Sequence, residues 1–301
     1  MEQKQLAMPN GILFYEEYPN RITVTGYEGM DLKIQIPESI QDKPVTILGK
    51  KAFLSNKRVE KVILPLSLNE IGDWAFAYCD ALKTVEIPRK RMHIGKDIVL
   101  NNKHLQNIRI YEENSKIPDY LAYMIALAMT SLQAGNLLTP LEVGNDSWML
   151  QWDERLMYIM QLDDFDGYAD LWICGEEDYA GKDYDEISYP GKKRMNKVRL
   201  AFFRLLHDEK LSDHAREFLT AYLTDHAKGK ESSETWDVMK TEKYDDLDCF
   251  RIFSQAGCIT EKNVDAMIRE LKEDQIQLRA GLMKYKDEHI GYEDSFDDFS
   301  L

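Results

Sequence analysis

The chain has 301 residues, 44% of them apolar and 30% charged, with a net charge of -15, the make-up of an ordinary globular protein long enough for about two domains. Residues 1–120 carry 17 Lys and Arg against 16 Asp and Glu, whereas the remainder carries 21 against 37, so the acidity resides in the second part and disfavours nucleic acid as a partner. The start lacks the basic cluster and long apolar run of a secretory signal, which makes the cytoplasm the expected location. The uncharged stretch over residues 120–138 is broken by Thr130, Ser131, Gln133, Gly135 and Asn136 and makes a poor membrane span.

In chain order, Ile12 to Tyr15 and Ile22 to Val24 read as two strands joined through Pro19 and Asn20, a hairpin suited to capping the exposed end of a repeat array. Residues 35–45 read as a partial repeat, because Pro37 precedes Pro65 by five residues more than the later period allows. From there a 23-residue unit recurs. It is marked by Gly49, Gly72 and Gly95, by Ala52 and Phe53 with Ala75 and Phe76, and by Val59, Leu82 and Leu105. Val62, Val85 and Ile108, then Leu64, Ile87 and Ile110, then Pro65 and Pro88 come at the same interval.

Each unit supplies one short strand with alternate residues turned inward and a proline at its end, while the glycine is expected to allow a tight turn. One such unit cannot bury its own apolar face, so stacking must supply the core. In the third unit Ile98 and Val99 replace the Ala-Phe pair and no proline closes the strand, as expected of a terminal coil.

These residues closely resemble the BspA-type leucine-rich repeats of many bacterial surface and host-associated proteins, over residues 34–111. The resemblance implies a solenoid that recognises protein or glycan. Strand alternation turns Lys61, Ile63, Thr84, Glu86, Asn107 and Arg109 to the concave sheet, which makes them the candidate binding residues. The competing reading is a structural wedge, since the strip carries no stacked aromatics of the kind glycan sites show.

Beyond residue 116 helical spacing takes over. Pro118 marks a start, and Leu121, Met124, Ile125, Ala128 and Leu132 share a side; this helix could close the last coil. Residues 147–174 leave helix and strand open, with helix favoured before the turn at Asp163 to Gly167. Helices are expected over 193–206, from Ser212, over about 245–255, from Thr260 as N-cap to Leu271, and over about 274–286. Residues 259–271, with 278–286 after them, faintly resemble the helical tails of ankyrin-like bacterial proteins. Residues from Asp287 onward read as an acidic tail.

Candidate chemistry is sparse. Asp164, Asp166 and Gly167 resemble the middle of a calcium loop, but Leu162 and Ile173 stand where its first and twelfth ligands belong. The acidic run Glu176, Glu177, Asp178, Asp183, Asp185 and Glu186 reads as a solvated loop. His207, His214 and His226 lack metal-ligand spacing. Cys79, Cys174, Cys249 and Cys258 form no C-x-x-C pair and read as reduced, half-buried thiols.

The sequence therefore points to an α+β chain: a short BspA-type solenoid with an N-terminal β-hairpin cap (1–115), a mainly α-helical acidic domain (116–286) and a tail (287–301). The expected function is a non-enzymatic protein-interaction module with no catalytic residue, metal or cofactor. Two other readings stand beside it. One is an enzyme or regulatory domain in the helical part, with an acidic pocket lined by Trp148, Trp152 and Trp172; the other is an oligomer-forming structural protein.

Overall fold

The computed structural model describes residues 2–112, 117–131, 138–168, 187–241 and 247–291. They divide into two compact units, Met1–Tyr189 and Pro190–Leu301.

The first unit opens with an antiparallel meander, β1 (Gln3–Met8), β2 (Gly11–Glu17) and β3 (Ile22–Gly29). The expected hairpin is thus its last two strands. Ile22 to Val24 of β3 then pair in parallel with β6 (Lys43–Leu48), so the meander extends one sheet of the solenoid and covers its first coil. Tyr27 holds this join: its hydroxyl donates to Asp31 Oδ2 at 2.8 Å and accepts from the Asp31 amide, while Asn10 Nδ2 donates to Asp31 Oδ1 at 2.9 Å. The Asn10 and Tyr27 hydrogen bonds hold the Asp31 carboxyl below its usual range.

Each coil then alternates between two parallel ladders. One joins β6, β8 (Glu70–Ile71) and β10 (His93–Ile94). The other joins β4 (Lys33–Gln35), β7 (Lys61–Ile63), β9 (Thr84–Pro88) and β11 (Asn107–Tyr111), in spatial order β11-β9-β7-β4. The five extra residues before Pro65 belong to a small hairpin in which β5 (Ser39–Ile40) pairs with the start of β6. Its two turn residues, Gln41 and Asp42, both take positive φ, 50° and 61°, the turn that matches strand twist.

The recurring apolar positions fill the interior: Val62, Leu64, Val85, Ile87 and Ile108 are all at most 1% exposed. Burying a Val, Leu or Ile yields about 2 kcal/mol, whereas ordering the backbone costs about 1–2 kcal/mol per residue. A 23-residue coil with so few inward side chains is therefore unstable alone and must share its interior with its neighbours. Tyr27, Phe53 and Phe76 form an aromatic file along the axis, with ring centroids 6.1 and 5.4 Å apart. Position 56 and its repeats satisfy the backbone around the turn. Asn56 Oδ1 accepts from the Arg58 and Val59 amides, Cys79 Sγ donates to the Phe53 carbonyl, and Asn102 Nδ2 donates to the Phe76 carbonyl.

The repeated glycines do something other than allow a turn, since none of the three takes a positive φ. They let coils touch: the Gly72 and Gly95 amides donate to the Leu48 and Ile71 carbonyls at 2.8 Å. A Cβ on Gly72 would stand 2.5 Å from the Lys50 nitrogen, and one on Gly95 would stand 2.5 Å from that of Asp73. The left-handed backbone falls instead on Lys51, Trp74 and Asp97 and on Ser55, Tyr78 and Asn101, two positions per coil at φ between 49° and 61°.

The solenoid is succeeded by α1 (Asp119–Ser131), which packs on β11 and buries Leu121, Met124, Ile125 and Ala128; Leu132 lies outside the described residues. The ambiguous stretch is a helix as far as it is described, α2 (Asp146–Gln161), ending before a turn with Gly167 at φ 82°. Tyr168 and Tyr189 meet edge to face, 5.1 Å apart, over Trp74, Tyr78 and Leu100 of the coil turns.

The second unit is helical: α3 (Tyr189–Leu206, of which Tyr189 belongs to the first unit), α4 (Asp213–Asp225), α5 (Glu234–Thr241), α6 (Leu247–Gln255), α7 (Val264–Glu270) and α8 (Ile276–His289). Ser212 caps α4 as expected, its Oγ accepting from the Ala215 amide at 3.2 Å. Thr260 does not cap α7. Asn263 stands at that position and turns its Oδ1 back to accept from the Thr260 amide, so the helix begins three residues later. No expectation covered α5, which carries the buried Trp236. Glu270 ties the unit together by accepting from Lys228, from Trp236 Nε1 at 2.8 Å and from Lys240 at 3.0 Å.

Both the coil contact and the Glu270 network can be measured. Gly72→Ala forces the Lys50 backbone aside and is expected to cost about 3 kcal/mol. Gly49→Ala meets the Val24 carbonyl at a looser 3.0 Å and is expected to cost about 1 kcal/mol; urea denaturation monitored by circular dichroism ranks the two. Lys228, then Trp236 and Lys240, hold the Glu270 carboxyl at about 2, below its ordinary 4.5. Its stabilising effect is therefore present above pH 4.5 and lost as pH falls toward 2. Urea midpoints of Glu270→Gln should lie below those of the wild type at neutral pH and converge with them near pH 2.

Candidate functional site

All six candidate residues fall on the four-stranded sheet in aligned rows. Lys61, Thr84 and Asn107 are register partners in one row, Ile63, Glu86 and Arg109 in the other. Val62, Val85 and Ile108 between them are buried, because residues on either side of an inward position point outward. Strand β4 adds Lys33 beside Lys61 and Gln35 beside Ile63. These two residues were missing from the expected strip. The signal was present in Ile34, Ile36 and Pro37, which repeat the Val62, Leu64, Pro65 pattern with the five-residue offset.

The strip pairs its own charges. Lys61 Nζ lies 2.5 Å from Glu86 Oε1, and Arg109 lies 3.5 Å from Asp119 at the start of α1. Both pairs are partly exposed, where such contacts contribute little to stability, so they remain free to exchange for a partner's charges. A groove of about 630 Å³ opens where the sheet meets α1, lined by Glu86, Arg109, Tyr111, Asp119, Leu121 and Val143 among others. Tyr111 sits at its floor and donates its hydroxyl to the Leu64 carbonyl. Burial, reinforced by the negative charges of Glu38 and Glu86, pushes the Tyr111 phenol up to about 12. Nothing in the repeat pattern marked Tyr111 or Asp119, because the groove exists only once α1 is folded onto β11.

Arg89, just after β9, ties down the segment that carries the groove-lining Val143. Its guanidinium donates to the carbonyls of Leu141 and Val143 at 3.3 Å, to Asn145 Oδ1 at 2.8 Å and to Glu112 at 3.2 Å. One half-buried fork thereby holds the segment leading into α2.

The remaining candidates come apart. Cys79, Cys249 and Cys258 are at most 2% exposed, not half-buried as expected, and burial pushes the Cys79 and Cys258 thiols up to about 12, which suppresses thiolate chemistry. Trp148 and Trp152 meet at a tilt of 39°, their ring centroids 5.1 Å apart, on the inner face of α2, 2% and 1% exposed, so they line core and not an open pocket. Asp163 to Gly167 form a turn in which Asp163 Oδ1 accepts from the Phe165 amide at 2.7 Å. Among the described residues no three His, Cys, Asp or Glu gather in a metal-ligating group. His207 and His226 pack on Phe203 and Tyr222, one turn earlier in each case. Trp172, Cys174 and the acidic run 176–186 lie outside the described residues, as does the tail from 292 onward.

With these coils and rows in view, comparison with known proteins places the solenoid. Residues 32–140 match the BspA type leucine rich repeat region, in six copies. The BspA-type match covers the solenoid and reaches α1, and it ends before the helices for which the ankyrin-like resemblance was noted. Solved structures similar to the chain include a leucine rich cell surface protein from Faecalibacterium prausnitzii, 24% identical over 36% of this chain and 33% of that one, with a TM-score of 0.29. A leucine rich repeat protein of T. pallidum is 22% identical over 33% and 61% of the two chains, TM-score 0.25. Another, from Bacteroides capillosus, is 20% identical over 36% and 99%, TM-score 0.26. The chain thus spans about a third of the length of the first of these. No curated protein matches it in sequence. No described helix is long and apolar enough to cross a membrane.

The Tyr111 contact yields a test of the groove floor. Tyr111→Phe removes a half-buried hydrogen bond and is expected to lower stability by about 1 kcal/mol. The difference between alkaline absorbance titrations of wild type and variant should isolate one phenol ionising near pH 12, above an ordinary tyrosine.

Proposed function

We propose that the outward face of the four-stranded sheet docks a protein partner and that the chain acts as a non-enzymatic interaction module. The observation that carries this reading is the two aligned rows, Lys33-Lys61-Thr84-Asn107 and Gln35-Ile63-Glu86-Arg109, held on parallel strands spaced about 4.8 Å apart. Residues on such a ladder are pre-ordered, so a partner loses little affinity to ordering them. Charges of both signs across a strip with one half-buried aliphatic residue, Ile63, suit a polar protein surface better than a lipid or a phosphate backbone. The BspA-type match over residues 32–140 agrees with such a role.

The groove beside α1 extends this face. A partner side chain entering it would meet Arg109 and Asp119 at its mouth and could replace either member of their ion pair.

The test is recovery of partners from a lysate of the source cell on immobilised full-length chain, with Lys61, Glu86 and Arg109 changed together to alanine for comparison. Loss of about tenfold or more of a recovered protein, with an unchanged circular dichroism spectrum, is the expected result. Equal recovery by the variant would remove the sheet face from the binding reaction.

A further inference from the structure

The backbone of the coil turns is bonded in one direction. The amides of Lys51, Phe53 and Ser55 donate to the carbonyls of Asp73, Ala75 and Ala77 in the next coil, at 3.0, 2.7 and 2.9 Å. Those of Trp74, Phe76 and Tyr78 donate in turn to Lys96, Ile98 and Leu100 at 2.8–2.9 Å. Carbonyls on this ladder therefore face the preceding coil, and the Ala52 oxygen accordingly lies 3.7 Å from where a Cβ on Gly26 would stand.

The first coil lacks a preceding turn to complete the pattern. Strand β3 tracks the coil path as far as Val24 and then pairs with β2 alone. The carbonyls of Ala52 and Leu54 consequently accept no hydrogen bond from any described residue. A cleft of about 360 Å³ opens beside these carbonyls, lined by Tyr27, Glu28 and Gly29 of the meander and by Ala52 to Arg58 of the first coil. Ser55, one of its lining residues, has its hydroxyl buried without a partner among the described residues and holds a left-handed backbone at φ 59°. Buried polar groups are normally satisfied. Arg58 and Glu28 both line the cleft and are exposed, and neither makes an ion pair with a described residue.

We infer that this cleft takes an extended segment of a partner protein, which completes the turn ladder by donating alternate main-chain amides to Ala52 and Leu54 and sets a carboxylate against Arg58. Main-chain addition at an unfinished ladder gives affinity, and the charge gives direction. The last coil turn of a second copy is not available for this, because Val99, the repeat of Phe53 and Phe76, is 1% exposed there and closed to a neighbour. The cleft lies on the turn side of the coils and is independent of the sheet-face reading above.

The experiment pans a phage library of random heptapeptides against the immobilised full-length chain and remakes the enriched sequences as terminally blocked peptides. The expected result is enrichment of peptides bearing Asp or Glu whose affinity falls about tenfold on Arg58→Glu. That affinity should vanish on N-methylation of alternate peptide amides and be unchanged in the Lys61, Glu86, Arg109 triple alanine variant. Arg58 is exposed and forms no ion pair with a described residue, so its reversal leaves the fold intact, which circular dichroism checks. The inference is overturned by any of three results: no enrichment above the bare support, affinity indifferent to Arg58→Glu or to N-methylation, or affinity lost in the triple variant, which would assign the peptides to the sheet face.

Discussion

The first unit depends on how closely one coil can approach the next. Its coils touch along three lines, the two strand ladders and the turn ladder, and at the start of each turn Gly72 or Gly95 leaves no room for a Cβ against the backbone of the coil before. Close approach brings the amides of one turn within 2.7–3.0 Å of the next turn's carbonyls. It also sets the spacing at which Phe53 and Phe76 stack. The turn takes a form that places two non-glycine residues per coil in the left-handed region, at about 1–2 kcal/mol each. Asp97 and Asn101 tolerate that backbone; Trp74 and Tyr78 do not, and they are kept there by what the stacked coils gain.

A solenoid built this way has ends, and each end is finished differently. At the first, the meander completes the sheet that contains β6 and presents Tyr27 to the aromatic file, yet it leaves the turn ladder one row short. At the last, α1 covers the interior of β11 with Leu121 and Ile125, and Arg89 secures the chain beyond it. A groove and a cleft arise at these finishes. The groove lined by Arg109, Tyr111 and Asp119 belongs to the α1 closure, and the cleft at Ala52 belongs to the incomplete start.

The helical unit is organised by polar contacts around an apolar interior. Trp236 packs against Phe253 while its indole nitrogen reaches Glu270, so one residue joins core and charge network. Asn263 does similar work for the chain before α7, donating to the carbonyls of Lys228 and Cys258. Buried amides of this kind specify one arrangement of short helices that propensity alone leaves undetermined.

Much of the solenoid was legible in the residues themselves. A period of 23, repeated at Gly, Ala, Phe, Leu and Pro positions, states the coil length. Alternation about Val62, Val85 and Ile108 then states which side chains face outward, since both are local rules of a strand. Tertiary structure decided the rest. Nothing in a lysine, serine or tryptophan announces a left-handed backbone, so Lys51, Ser55 and Trp74 acquire it from stacking. The glycines proved to serve contact between coils, which no single coil can reveal. Whether Trp148 and Trp152 line a pocket or a core, whether Tyr111 floors a groove, and whether the Ala52 carbonyl finds a donor all depend on segments distant in sequence. Repetition writes the coil into the chain, but its ends are set by whatever happens to pack there.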